Sequence, residues 1–197
     1  MLRQVVYPKI ESRLNDIARF LHKKGFTPNQ LTCAALGVSF LAGLCYAAGL
    51  NFLGGIVLLA GSFGDMVDGA LARTSGTSTK FGAFLDSTLD RYSDFFVLSG
   101  VAYHFAQISE FGWMLATLSI LLGAFVTSYS KARAENFIDN CGVGVFERSE
   151  RIVTLALGSL IPPLFLWSLV ILVFGTNITA LHRIIHTRKV LDQTINP

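Results

Sequence analysis

Asp65 and Asp68 are three residues apart, and Asp86 and Asp90 are four apart. Either spacing brings both carboxylates onto one face of a helix. Two acidic faces that converge repel each other unless cations lie between them. Carboxylate oxygens are hard donors that select Mg²⁺ or a similar divalent ion such as Mn²⁺. Two ions could be held, an arrangement that stabilises both the attacking and the leaving oxygen in phosphoryl chemistry. Gly69 follows Asp68 directly and Gly82 opens the next predicted helix. Both let a ligand or another helix approach the backbone. Arg73 could meet a phosphate in bidentate geometry, and the run TSGTST from Thr74 to Thr79 supplies hydroxyls and a flexible turn. Acids for metal, an arginine for phosphate and small residues for access suggest a substrate carrying a pyrophosphate.

The elements that must position these residues are apolar. The chain has 197 residues, of which 52% are hydrophobic and 15% charged, with a mean hydropathy of +0.53. That composition points to a membrane protein. Its three cysteines, Cys33, Cys45 and Cys141, form no CxxC pair, which argues against a disulfide framework or a zinc site. No Lys, Arg, Asp, Glu or His occurs from Gly25 to Gly64. That length is twice what one bilayer crossing needs. With a break at Gly49–Asn51, it divides into spans at about Leu31–Leu50 and Phe52–Arg73. A third span runs from near Phe81 to Ser109 and a fourth from Phe111 to Ser130. The apolar run Ile152–Leu181, broken at Pro162-Pro163, makes a fifth and a sixth.

All 16 basic residues lie on alternate connections, in the acid-bearing span three or at the termini. Arg3, Lys9, Arg13, Arg19, Lys23 and Lys24 precede span one. Arg73, Lys80 and Arg91 lie around the junction of spans two and three. Lys131, Arg133, Arg148 and Arg151 separate spans four and five, and Arg183, Arg188 and Lys189 follow span six. The positive-inside rule then places both termini and the acidic cluster on the cytoplasmic side of the cell membrane. Residues 1–26 contain ESRLNDIARFLHKKG, with Leu14, Ile17, Ala18 and Leu21 at helical spacing. They read as an amphipathic helix lying on the membrane surface; the other reading is a helix packed on its own protein. The expected fold is thus an all-α integral membrane protein: one domain over 1–197, with six transmembrane helices over 27–190 after the surface helix. No nucleic-acid partner is expected.

Ionised side chains within a membrane are costly and normally face a cavity, a partner or an ion. Pairing with Arg73, Lys80 and Arg91 is the plain alternative for these acids. A transporter would also use buried carboxylates, nearer mid-bilayer and on interrupted helices; it predicts flux without a released product. A non-catalytic scaffold leaves the four-acid pattern without a purpose.

The full string is Asp65-x-x-Asp68-Gly69-x-x-Ala72-Arg73, eight residues, Gly82, three residues, Asp86, three residues, Asp90. It resembles the signature of the CDP-alcohol phosphotransferase family at every defining position, and the six-span topology is similar to that family's membrane fold. The resemblance implies transfer of a substituted phosphoryl group from a CDP-linked lipid, such as CDP-diacylglycerol, to an alcohol, with release of CMP. It implies a divalent metal pair on Asp65, Asp68, Asp86 and Asp90, with Asp90 also the general base. Gly69 and Arg73 would contact the CDP moiety, with Thr79 and Gly82 beside it, and Asn29 of the Pro28-Asn29 pair would lie near the nucleotide. Pro28-Asn29 also suits a helix start. Asp94 is outside the signature and is expected either to support the metal-binding acids from behind or to be ion-paired, and not to hold metal itself. A homodimer is implied by the family.

The segment SYSKARAENFIDNCGVGVFERSERIV, between spans four and five, resembles the corresponding region of prokaryotic phosphatidylinositol phosphate synthases and their archaeal counterparts. The implied acceptor is inositol 1-phosphate, with glycerol 3-phosphate as the alternative. Candidates to grip the acceptor phosphate are Lys131, Arg133, Arg148, Arg151 and Arg188, with Lys131 and Arg151 the preferred pair. The same cations also serve as ordinary topology determinants.

Overall fold

The computed structural model describes residues 2–195, with side chains described over residues 11–193. Arg3 and Lys9, part of the charge pattern above, therefore lie outside the described side chains. The described residues form helices and no strands. They are α1 (Leu2–Lys23), α2 (Pro28–Ala47), α3 (Asn51–Thr74), α4 (Lys80–Gln107), α5 (Phe111–Ala134), α6 (Arg148–Leu160) and α7 (Phe165–Ile195), with a short 3-10 turn at Pro162–Leu164 before α7. Four segments are long and apolar enough to cross a membrane: α2, α3, α5 and Pro162–Gln193. The acids of α4 and the short length of α6, 13 residues, set those two apart from the other four.

Local signals fix the starts. Pro28 occupies the first turn of α2, where its missing N–H costs nothing. Thr27 and Gln30 close a reciprocal capping box before it: the Gln30 N–H donates to Thr27 Oγ1 at 3.4 Å and the Thr27 N–H donates to Gln30 Oε1 at 3.0 Å. Thr79 caps α4 by accepting the Gly82 N–H at 2.9 Å. The Pro162-Pro163 break falls where expected, but α7 does not stop near Leu181. Residues 181–195 contain no Gly or Pro to end it, so Arg183 lies within a helix and not in a tail.

Helices α2 to α7 close into a ring in which α3 packs on α2, α2 on α4, α4 on α5, α5 on α7, α7 on α6, and α6 on α3. Every one of them contributes to the shared core, including Tyr46, Leu58, Val101, Ile120, Leu155 and Leu169. Successive helices α3 and α4 are thus not packed along their lengths, as their short connection suggests; α2 lies between them. The α2–α4 crossing is tight because both partners are glycine where they meet. A Cβ on Gly100 would fall 2.1 Å from the Gly43 carbonyl oxygen, and one on Gly43 would fall 2.4 Å from that of Phe96.

The N-terminal helix uses its apolar stripe against its own protein. Leu14 and Ala18 are buried with Val67, Ala70 and Leu71 of α3, while Ile17 and Phe20 stay exposed.

Candidate active site

The signature acids gather at one end of the ring. Asp65, Asp68 and Asp86 each offer a carboxylate oxygen, and these oxygens lie within 4.8 Å of one another. Asp68 is buried, and its Oδ2 has no hydrogen-bond partner among the described residues. A buried carboxylate oxygen left without a donor is costly. An unmatched oxygen beside two further carboxylates is a donor set that suits a hard divalent cation.

Asp90, the fourth acid of the pattern, faces a guanidinium. Arg148 Nη1 lies 2.6 Å from Asp90 Oδ1 and 2.7 Å from Asp65 Oδ2. Arg148 begins α6, which packs on α3, so it meets Asp65 from the neighbouring helix and reaches Asp90 of α4 across the ring. Two of these residues therefore come from the signature and one, Arg148, from the first turn of α6. One turn further along α6, Arg151 Nη2 lies 2.5 Å from Asp94 Oδ2. Asp94 is ion-paired, as expected, and its partner is one of the two cations preferred for the acceptor.

Beside the acids lies a cavity of about 460 Å³, within the range of small-molecule sites. Asn29, Gly69, Arg73, Thr79 and Gly82, all five residues expected to meet the CDP-lipid, line it together with Asp68 and Asp86. His22 and Thr77 also line it; neither was expected. The start of α2 supplies Asn29, and a Cβ at Gly82 would sit 3.5 Å from Asn29 Oδ1. The interposition of α2 between α3 and α4 thus brings its first turn to the acids.

The remaining basic candidates separate. Lys131 lies 3.8 Å from Glu147 Oε1. Arg133 places its guanidinium 4.6 Å from the centre of the Phe137 ring, and Arg188 pairs with Asp192 one turn on at 3.5 Å, both exposed. Arg183, which sequence reasoning assigned to topology alone, is 2% exposed and donates to Glu147 Oε1 at 2.8 Å. The signal for it was present: a charged residue in register with Thr176 and Thr179 on an otherwise apolar run.

A sequence model of the CDP-alcohol phosphatidyltransferase family matches residues 26–186. The chain belongs to that family. As a CDP-alcohol phosphatidyltransferase it is an integral membrane enzyme of phospholipid biosynthesis. It is 37% identical to the archaetidylinositol phosphate synthase of Pyrococcus horikoshii over 79% of this chain and 80% of the relative. It is also similar to the phosphatidylinositol phosphate synthase of Mycobacterium tuberculosis with CDP-DAG bound: TM-score 0.82 and 34% identity, over 88% of this chain and 92% of that one. The structure of that synthase with manganese and citrate matches with the same TM-score and identity, over 88% of each chain.

Proposed function

We propose that this CDP-alcohol phosphatidyltransferase transfers the phosphatidyl group of a CDP-lipid to inositol 1-phosphate and releases CMP. The single observation that carries this reading is the adjacency of the acid cluster to a cavity lined by all five expected donor-binding residues. The inositol phosphate acceptor rests on the similarity to the two synthases above. The manganese in one of those structures supports divalent metal use here.

Asp65, Asp68 and Asp86 would hold a divalent cation, Mg²⁺ or Mn²⁺, with Asp90 available to a second. When bound, such ions offset charge on the pyrophosphate and make CMP a better leaving group. Asn29, Gly69, Arg73, Thr79 and Gly82 bind and orient the CDP moiety. Asp90 takes the proton of the acceptor hydroxyl as that oxygen attacks the phosphorus bearing the lipid. The new P–O bond forms as the pyrophosphate P–O bond breaks, and the CMP oxygen leaves with that electron pair. Arg148, 2.6 Å from Asp90 Oδ1, aims that carboxyl group before the acceptor arrives. With Lys131, it supplies positive charge for the acceptor phosphate.

In this reading all six helices α2 to α7 cross the bilayer, with the acidic end on the cytoplasmic side. Exposed Ile17 and Phe20 on α1 face the lipid beside it. The experiment is CMP release by purified protein in detergent with Mg²⁺ and CDP-diacylglycerol. The acceptors compared are inositol 1-phosphate, glycerol 3-phosphate, free inositol and serine. Release with inositol 1-phosphate, lost in Asp90→Asn, is expected. Release with glycerol 3-phosphate instead would overturn the acceptor assignment.

A further inference from the structure

Arg183 divides one guanidinium among three acceptors, one on α5 and two on the connection between α5 and α6. Its Nε donates to the Val143 carbonyl at 2.9 Å, its Nη1 to the Thr127 carbonyl at 2.7 Å, and its Nη2 to Glu147 Oε1 at 2.8 Å. Thr127 lies on α5 one turn before Lys131, and Glu147 immediately precedes Arg148. Two of the three contacts therefore fall beside residues that the proposed reaction uses.

The segment from Val143 to Glu147 is seated on α7 by more than this arginine. The Phe146 N–H donates to Thr179 Oγ1 at 3.1 Å, one turn before Arg183. Gly144 adopts φ +108°, a conformation that L side chains rarely take. A Cβ there would meet Thr179 Cγ2 at 2.3 Å. Thr179 and Arg183 together make a polar face on α7 that fits this backbone and no bulkier one. Glu147 meets both cations: its Oε1 accepts from Arg183 Nη2 and also faces Lys131 Nζ at 3.8 Å. The two partners differ in their freedom. The Arg183 side chain is 3% exposed, whereas that of Lys131 is 40% exposed. Arg183 is the fixed member and Lys131 the movable one.

We infer that Arg183 is a positioning residue: through Glu147 it sets Lys131 and Arg148 where an acceptor phosphate would meet them. This rests on the proposed reading of those two cations as the acceptor's contacts. The guanidinium is too enclosed to meet the acceptor itself. Its charge is matched by Glu147, leaving Lys131 loosely held by a carboxylate from which a phosphate, with more negative charge, draws it away.

The test compares wild type with Glu147→Gln, Arg183→Lys and Arg183→Gln by CMP release. KM for acceptor, KM for CDP-diacylglycerol, kcat and thermal midpoint are measured separately. Glu147→Gln and Arg183→Lys are expected to raise the acceptor KM about tenfold or more, the scale of one charge-assisted hydrogen bond. The donor KM should stay within about twofold. Arg183→Lys keeps the charge but cannot reach three acceptors in a fixed fork, so it should recover only part of what Arg183→Gln loses. Equal rises in both KM values, or a fall in thermal midpoint with neither KM changed, would reduce Arg183 to a bundle brace and overturn the inference. If wild type prefers glycerol 3-phosphate, the acceptor assignment fails while the same KM comparison with that acceptor still decides the role of Arg183. No release with any phosphorylated acceptor overturns both.

Discussion

Arg151 and Asp94 form an ion pair of 2.5 Å inside the helix ring, with side chains only 7% and 12% exposed. It ties α6 to α4 one turn beyond the point where Arg148 meets Asp90. Removing one partner strands a buried charge, at a cost of about 3–5 kcal/mol. Arg151→Ala and Asp94→Ala should each lower the thermal midpoint in detergent. The double substitution should cost less than the sum of the two.

Asp65, Asp68 and Asp86 share one space, so removing any of them should remove divalent binding along with activity. Asp68→Asn is the most telling, because its buried Oδ2 has no donor among the described residues. Titration of Mn²⁺ followed by its EPR signal should show the loss directly. In the unaltered protein, EDTA should abolish CMP release and added Mg²⁺ or Mn²⁺ should restore it.

Asp90→Asn keeps the shape of the side chain and removes the proposed base. We expect kcat to fall about 10²–10⁴-fold, the usual contribution of a positioned general base. Affinity for the CDP-lipid should stay within about twofold, because Asp90 does not line the cavity proposed to take the donor. Binding measured by calorimetry beside single-turnover kinetics separates the two effects.

Asn29→Ala should raise the donor KM by up to about tenfold, the effect of one lost hydrogen bond, and leave the acceptor KM alone. A change confined to the acceptor would remove Asn29 from the donor cavity's function.

Gly100→Ala puts a methyl group 2.1 Å from the Gly43 carbonyl oxygen. Overpacking of this kind costs about 1–3 kcal/mol, and here it spreads α2 from α4. The thermal midpoint should drop, and activity should drop with it, since α2 carries Asn29 while α4 carries Asp86 and Asp90.

Much of this was legible in the chain. The gapped acid pattern is local, and helical geometry alone tells which carboxylates share a face. The breaks at Gly49–Asn51 and Pro162-Pro163 and the start at Thr27-Pro28 are written in turn and capping chemistry. What could not be read is which helices touch. A short connection between Arg73 and Lys80 suggests direct neighbours, yet α2 packs between α3 and α4 because Gly43 and Gly100 let backbones meet. For the same reason the basic residues at the end of α5 and the start of α6 look alike in sequence. Only packing separates Arg148, on the signature acids, and Arg151, on Asp94, from Arg133, which covers Phe137. Arg183 reads in sequence as a topology determinant alone, because such cations also sit at the end of an apolar run.

Leu14 and Ala18 brace Val67, Ala70 and Leu71, the residues on either side of Asp68. The N-terminal helix is therefore scaffolding for the turn that carries Asp68, although no residue of the family signature lies in it. A shortened protein beginning at Pro28 would retain every signature residue and still lose the backing of that turn. Affinity tags and fusion partners for this enzyme belong at the C-terminus, and inactivity of an N-terminal deletion would say nothing against the chemistry assigned to the aspartates.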